Sequence, residues 1–281
     1  MAFAVFHKVP VAAAALLLTT STAPAQTGAS RFALAQVADS GGKALVDIDA
    51  DDFVVQEAGA ARDILDVRVA DYPVAIVLDN GAAERDDFAP LRASVERFVT
   101  RLGPRPVAIV ATAGPKMLAS FEDARETVLA RLDELSVDSS ADAAPLRATS
   151  MAAEAIRSVG PLFSTVVVAT SSPVDVAGAA ANELIPSIVD SRAVVHVVAN
   201  VAHTAADDGQ QLRSISDQTH GEYRAIYSSA SYQPALDRLA VRLTTELLIE
   251  YLVPVGSKAA DVKIGVRLPG ARVRGLGVAP R

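Results

Sequence analysis

Three short runs in this 281-residue chain are apolar with almost no break: 74–78 (VAIVL), 107–111 (VAIVA) and 193–199 (AVVHVVA, which admits one histidine). A strand with one wet face alternates polar and apolar residues. A run without alternation, bounded by turn formers, predicts a strand buried on both faces, as in a parallel sheet covered by helices.

The segments between these runs carry the helices such a sheet requires. Phe88, Leu91, Val95, Phe98, Val99 and Leu102 recur at helical spacing, and Gly103-Pro104 ends the pattern. A short strand is expected at 117–119, then a helix marked by Phe121, Ala124, Val128, Leu132 and Leu135. Residues 136–144 read as a loop, and Thr149 is expected to precede a helix carrying Met151, Ala155, Ile156 and Val159. A strand at 166–169 follows. Leu184, Ile185 and Ile188 mark a helix that Pro186 should cut short or delay. Leu212 and Ile215 mark another, opened by Asp207-Asp208, and 222–227 is a strand. Leu236, Leu239, Leu243 and Leu247 stripe the last helix, with Pro234 near its first turn. The fold class is therefore α/β: a Rossmann-like, mainly parallel sheet with helices on both faces.

Both flanks read as β. Upstream, 31–37, 44–48, 53–56 and 64–69 are short strand candidates separated by Gly, Asp and Ser, which suggests a small meander. Downstream, 248–253, 261–267 and 271–274 return to the same texture. The two flanks are expected to pair into one small module beside the α/β centre. The division is then 1–25, 26–71, 72–247 and 248–281. The first segment reads as an export signal: His7-Lys8, an apolar stretch over 9–18 broken only by Pro10, and Ala23-Pro24-Ala25 before Gln26 as the cleavage pattern. Ten apolar residues are too few to span a bilayer, which takes about 20. The expected location is periplasmic or extracellular, with no integral membrane segment after cleavage.

Composition removes several function classes. With no cysteine, disulfides, thiolate metal sites and cysteine nucleophiles are absent. An excess of acidic over basic residues, 33 against 26, argues against nucleic-acid partners. The chain contains no G-x-S-x-G elbow and no H-E-x-x-H pair, and Gly41-Gly42-Lys43 lacks the spacing of a phosphate loop. His196 reads as a packed core histidine, and His220, before Gly221, as a helix cap. Asp86-Asp87 and Asp207-Asp208 read as caps at helix starts. Ligands of an open α/β sheet bind beyond the carboxyl ends of its strands, which directs attention to Asp79-Asn80-Gly81 after the first buried run. By position alone these residues are equally a cation site and a polar turn.

Three stretches carry a resemblance to a known family. ADDFVVQEAG at 50–59 resembles a "DFxVxEDG" β segment, and 74–83 resembles the first strand and metal-binding loop of a von Willebrand factor A-type domain. LRSISDQTHG at 212–221, followed by 239–254 with Glu250-Tyr251, resembles the closing helices and a strand reading "YxxxYxP". The centre thus resembles a von Willebrand factor A domain. The whole of 31–275 is similar to a group of secreted, A-domain-related proteins of acidobacteria and their relatives. The family's metal site uses D-x-S-x-S after the first strand, a Thr before a later helix and an Asp after the fourth strand. Carried over, Asp79 fills the first position, Gly81 and Ala83 stand where the serines would be, Thr149 matches the threonine, and Ser171 stands for the later Asp. Mg²⁺ wants oxygen ligands in near-octahedral array, and two of these positions have no side-chain oxygen. The expectation is a degenerate site with no metal, the alternative being weak Mg²⁺ at Asp79, with an open shelf above Asp79 left by Gly81 and Ala83. The resemblance implies an exported, non-catalytic module that binds a protein partner. The rival readings are a Mg²⁺- or Mn²⁺-dependent adhesion domain and an exported α/β hydrolase.

Overall fold

The computed structural model describes residues 28–81, 85–172, 179–202, 209–258 and 260–280. Residues 1–25, expected to be an export signal, together with Ala83, His203 and Asp207-Asp208, lie outside the described residues.

Along the chain the elements are β1 (Gly28–Ala38), β2 (Phe53–Glu57), β3 (Ala60–Arg62), β4 (Ile64–Val69), β5 (Val74–Leu78), α1 (Arg85–Arg101), β6 (Val107–Ala111), β7 (Lys116–Ala119), α2 (Arg125–Asp133) and α3 (Pro145–Val159). They continue with β8 (Thr165–Thr170), α4 (Ala179–Asp190), β9 (Val194–Asn200), α5 (Gln210–Gln218), β10 (Tyr223–Ile226), α6 (Tyr232–Thr244), β11 (Glu246–Pro254), β12 (Val262–Val266) and β13 (Arg272–Ala279).

The unbroken apolar runs form the centre of a six-stranded sheet in the order β10-β9-β8-β5-β6-β7, parallel except for β7. Successive side chains of a strand point to opposite faces, so β5 serves two cores. Val74, Ile76 and Leu78 pack with α1, α2 and α6, while Ala75 and Val77 pack with α3, α4 and α5. From β5 the chain runs to β6 on one side and later to β8 on the other, so the strand order reverses at β5. That reversal is where such sheets open a crevice at their carboxyl edge.

The flanking segments join as expected, but into two sheets rather than a meander. β13-β1-β11-β4 is antiparallel, and β12-β2-β3 lies against it. Phe53, Val55, Ala33, Ala35, Leu247, Ile249 and Tyr251 fill the space between them. The buried Arg31–Glu57 ion pair links β1 to β2. The other face of the larger sheet meets the α/β domain through Leu34, Ala70 and Leu248, with Tyr72, Phe163 and Leu276.

Several local expectations are corrected. Residues 44–48 form no strand: Ala44 makes a single bridge to Ala38 across the turn that Asp39 closes by accepting the Gly41 and Lys43 N–H groups. Phe121, Ala124 and Leu135 lie outside α2. Pro186 sits within α4, because Ala181 and Ile188 on either side of it are buried in one core that holds the helix together. Leu247 belongs to β11, where it pairs with Ala35 and Val69. Its four-residue spacing from Leu243 continues the helical stripe only by coincidence. Thr149 lies one turn inside α3 rather than before it.

Candidate functional site

Asp79 follows directly after β5, at the strand-order reversal, and is fully buried. Its neighbours in the sheet, β6 and β8, each place a threonine beside it, and together with two loops they saturate its carboxylate. Oδ1 accepts the Thr112 hydroxyl at 2.8 Å and the Gly81 N–H at 3.2 Å, and Oδ2 accepts the Thr170 hydroxyl at 2.9 Å, the Ser171 N–H at 2.9 Å and the Ser172 N–H at 2.8 Å. The carboxylate thus fastens three strand ends into one knot.

Asn80 fastens the next layer. Its Oδ1 accepts the Ala113 N–H at 2.9 Å, and its carbonyl accepts the Asp138 N–H at 2.9 Å. These bonds, with Ala144 N–H to the Thr112 carbonyl at 3.0 Å, draw the 136–144 loop across the sheet edge. As a result the expected open shelf is closed at Gly81. A Cβ built on Gly81 would lie 2.9 Å from the Cβ of Ala143. Ala83, the other half of that expected shelf, is outside the description.

Of the expected site residues, the structure brings Asp79, Gly81 and Ser171 together. Thr149 is buried, but its hydroxyl donates to the Pro145 carbonyl at 2.7 Å, within its own helix. Ser171 meets Asp79 through its backbone N–H. The Ser171 and Ser172 hydroxyls are both buried with no hydrogen-bond partner among the described residues. Below them Tyr232 donates to the Thr170 carbonyl at 2.7 Å, and burial, with Asp79 and Asp87 nearby, pushes its phenol well above the ordinary range. Asn200, at the end of β9, donates to Asp87 at 3.3 Å.

Thr112, Thr170 and Ser172 were not singled out by the sequence reading. The available signal was that Thr112 and Thr170 are each the first polar residue after a buried run. Their convergence on Asp79 depends on strand order, which the sequence does not state.

The two described histidines lie elsewhere. His196 accepts the Glu222 N–H on Nδ1 at 3.0 Å and is buried, as a packed core histidine should be. His220 adopts φ 60° at the end of α5, a helix-capping conformation.

The six-stranded sheet with three helices on each face is of von Willebrand factor A type. Its solved neighbours agree in fold. A von Willebrand factor type A protein from Catenulispora acidiphila superposes with a TM-score of 0.50 at 13% identity, covering 90% of this chain and 73% of that one. Proximal thread matrix protein 1 from the mussel byssus superposes with a TM-score of 0.51 at 11% identity, covering 64% of this chain and 49% of that one. No family profile and no curated protein matches the sequence.

Proposed function

We propose that the chain is a non-catalytic, protein-binding module of von Willebrand factor A type whose Asp79 loop works without a divalent ion. The saturation of Asp79 carries the reading. Mg²⁺ holds about six oxygens at about 2.0–2.1 Å and gives up its waters reluctantly. To reach Asp79, an ion would have to displace donors that already satisfy both carboxylate oxygens. Gly81 offers no side-chain oxygen, Ala143 lies where a serine side chain at 81 would start, and the Thr149 hydroxyl is turned to its own helix. The described residues therefore fit a resident Mg²⁺ poorly.

Metal-dependent adhesion remains the second reading, because Ser171 and Ser172, whose N–H groups reach the carboxylate, carry buried hydroxyls with no hydrogen-bond partner among the described residues. The hydrolase reading is weaker, since both described histidines line the opposite edge of the sheet from Asp79. Export is part of the proposal and rests on the pattern over 7–26. No helix among the described residues is long and apolar enough to cross a membrane.

The deciding experiment is thermal unfolding with Mg²⁺, Mn²⁺ or chelator. An ion at a hundredfold over its Kd would add about 2.7 kcal/mol, a rise of several degrees in a domain of this size. The expected shift is none. A manganese anomalous peak beside Asp79 in soaked crystals overturns the reading in favour of metal-dependent adhesion. Capture of a partner from the envelope fraction is expected to be insensitive to chelator.

A further inference from the structure

We propose a second site, at the opposite edge of the sheet: the cavity between the α/β domain and the β sandwich binds a small organic acid, through a carboxylate or phosphate group held by Arg192, Arg242 and Arg274. The cavity has a volume of about 360 Å³, within the range of small-ligand sites. Both modules build it. Arg192 and His196 come from the amino edge of the sheet, Arg242 from α6, and Leu34 and Arg274 from β1 and β13.

Its charge runs against that of the chain. The whole molecule carries −7, yet three guanidinium groups line this cavity against one carboxylate, Glu246. Glu246 is engaged by the Tyr72 hydroxyl, and burial pushes its carboxyl up. Arg242 is incompletely satisfied. Its Nη1 reaches Glu222 only at 3.4 Å, and its Nε is buried with no hydrogen-bond partner among the described residues. His196 reports the same field. Burial, then Arg242 and Arg274, push its imidazole down to about 3, so it stays neutral. Because Nδ1 accepts the Glu222 N–H, the proton resides on Nε2, leaving a neutral donor in the lining.

Arg192 follows the end of α4 at φ 61°, the same left-handed helix-capping conformation as His220, its N–H bonding the Val189 carbonyl at 3.0 Å, and it lines the cavity from there. Leu34, Phe163 and Leu276 give the lining an apolar wall. A planar guanidinium binds carboxylate or phosphate in two-pronged fashion, and the apolar wall favours an acid with a short hydrocarbon body over a bare inorganic ion.

The test is calorimetric titration of the chain at low, fixed ionic strength with benzoate, phenyl phosphate, succinate, inorganic phosphate and benzamide. Benzoate or phenyl phosphate is expected to bind, and the stronger of the two identifies carboxylate or phosphate as the recognised group. Benzamide, with the same ring and no charge, is expected not to bind. Arg192→Gln and Arg274→Gln, both at exposed residues, are each expected to weaken binding about tenfold, equivalent to 1.4 kcal/mol. Arg68→Gln, on β4, is expected to change nothing. The proposal fails if no acid binds, if benzamide binds as well as benzoate, or if all three variants behave alike. None of these outcomes bears on the Asp79 reading, because the two sites lie at opposite sheet edges.

Discussion

Five donors from three separate stretches of chain end on the Asp79 carboxylate, so its first role is to hold strand ends in place. Removing it leaves buried N–H and hydroxyl groups unpaired, and hydrogen bonds to a charged acceptor are worth about 1.5–3 kcal/mol each. Asp79→Ala is expected to cost about 3 kcal/mol or more in urea denaturation, and a loss under about 1 kcal/mol would contradict the knot. Gly81→Ser introduces a hydroxyl but drives its Cβ against Ala143. It should destabilise by about 1–3 kcal/mol, as overpacking does, and Ala143→Gly in the same chain should recover most of that loss. Additive effects in the double-mutant cycle would mean that Ala143 is not the obstacle. The sequence revealed Asp79, because an acid directly after a buried run stands out. It did not reveal Ala143, since nothing local to an alanine in a polar loop says which glycine it will cover.

Strands and helices were legible where burial wrote a pattern. The runs at 74–78 and 107–111 coincide with β5 and β6 because both faces of each strand are covered. Errors arose at ends and breaks, where tertiary packing outweighs local propensity: α4 continues through Pro186, and Leu247 leaves the helical stripe for β11. The end of α5 gives a test at this scale. His220 closes the helix at φ 60°, where a β-carbon is disfavoured and glycine is the usual residue. His220→Gly should stabilise by about 0.5–1 kcal/mol in equilibrium denaturation, and a loss would show that the imidazole makes a contact worth more than the strain. The next residue behaves oppositely. A Cβ on Gly221 would fall 1.8 Å from the Val195 carbonyl oxygen, so Gly221→Ala should be among the most damaging single changes in the chain.

Across the whole molecule, the two modules are joined by titratable groups rather than by apolar surface alone. His196 faces Arg242, Arg274 and the Glu222 backbone, while Glu246 faces Tyr72, Arg105, Arg242 and Arg274. The two groups pull stability in opposite directions with pH. His196 is lowered from 6.5 to about 3 in the fold, so the unfolded chain binds the proton first. Its contribution is present above 6.5 and is lost as pH falls towards 3. Glu246 is raised above 4.5, so the folded state keeps its proton longer, and its contribution is present below 4.5 and is lost as pH rises through the folded value. As pH rises above 4.5 the two oppose each other, and comparing variants separates them. For His196→Gln, the drop in unfolding free energy between pH 7 and 5 should be smaller than in the parent chain by about 2 kcal/mol. Glu246→Gln, which keeps an acceptor for Tyr72, should instead gain stability relative to the parent as pH rises above 4.5. If both variants track the parent slope, acid sensitivity lies outside the seam, and the modules are held together by Leu34, Ala70 and Leu248 without help from charge.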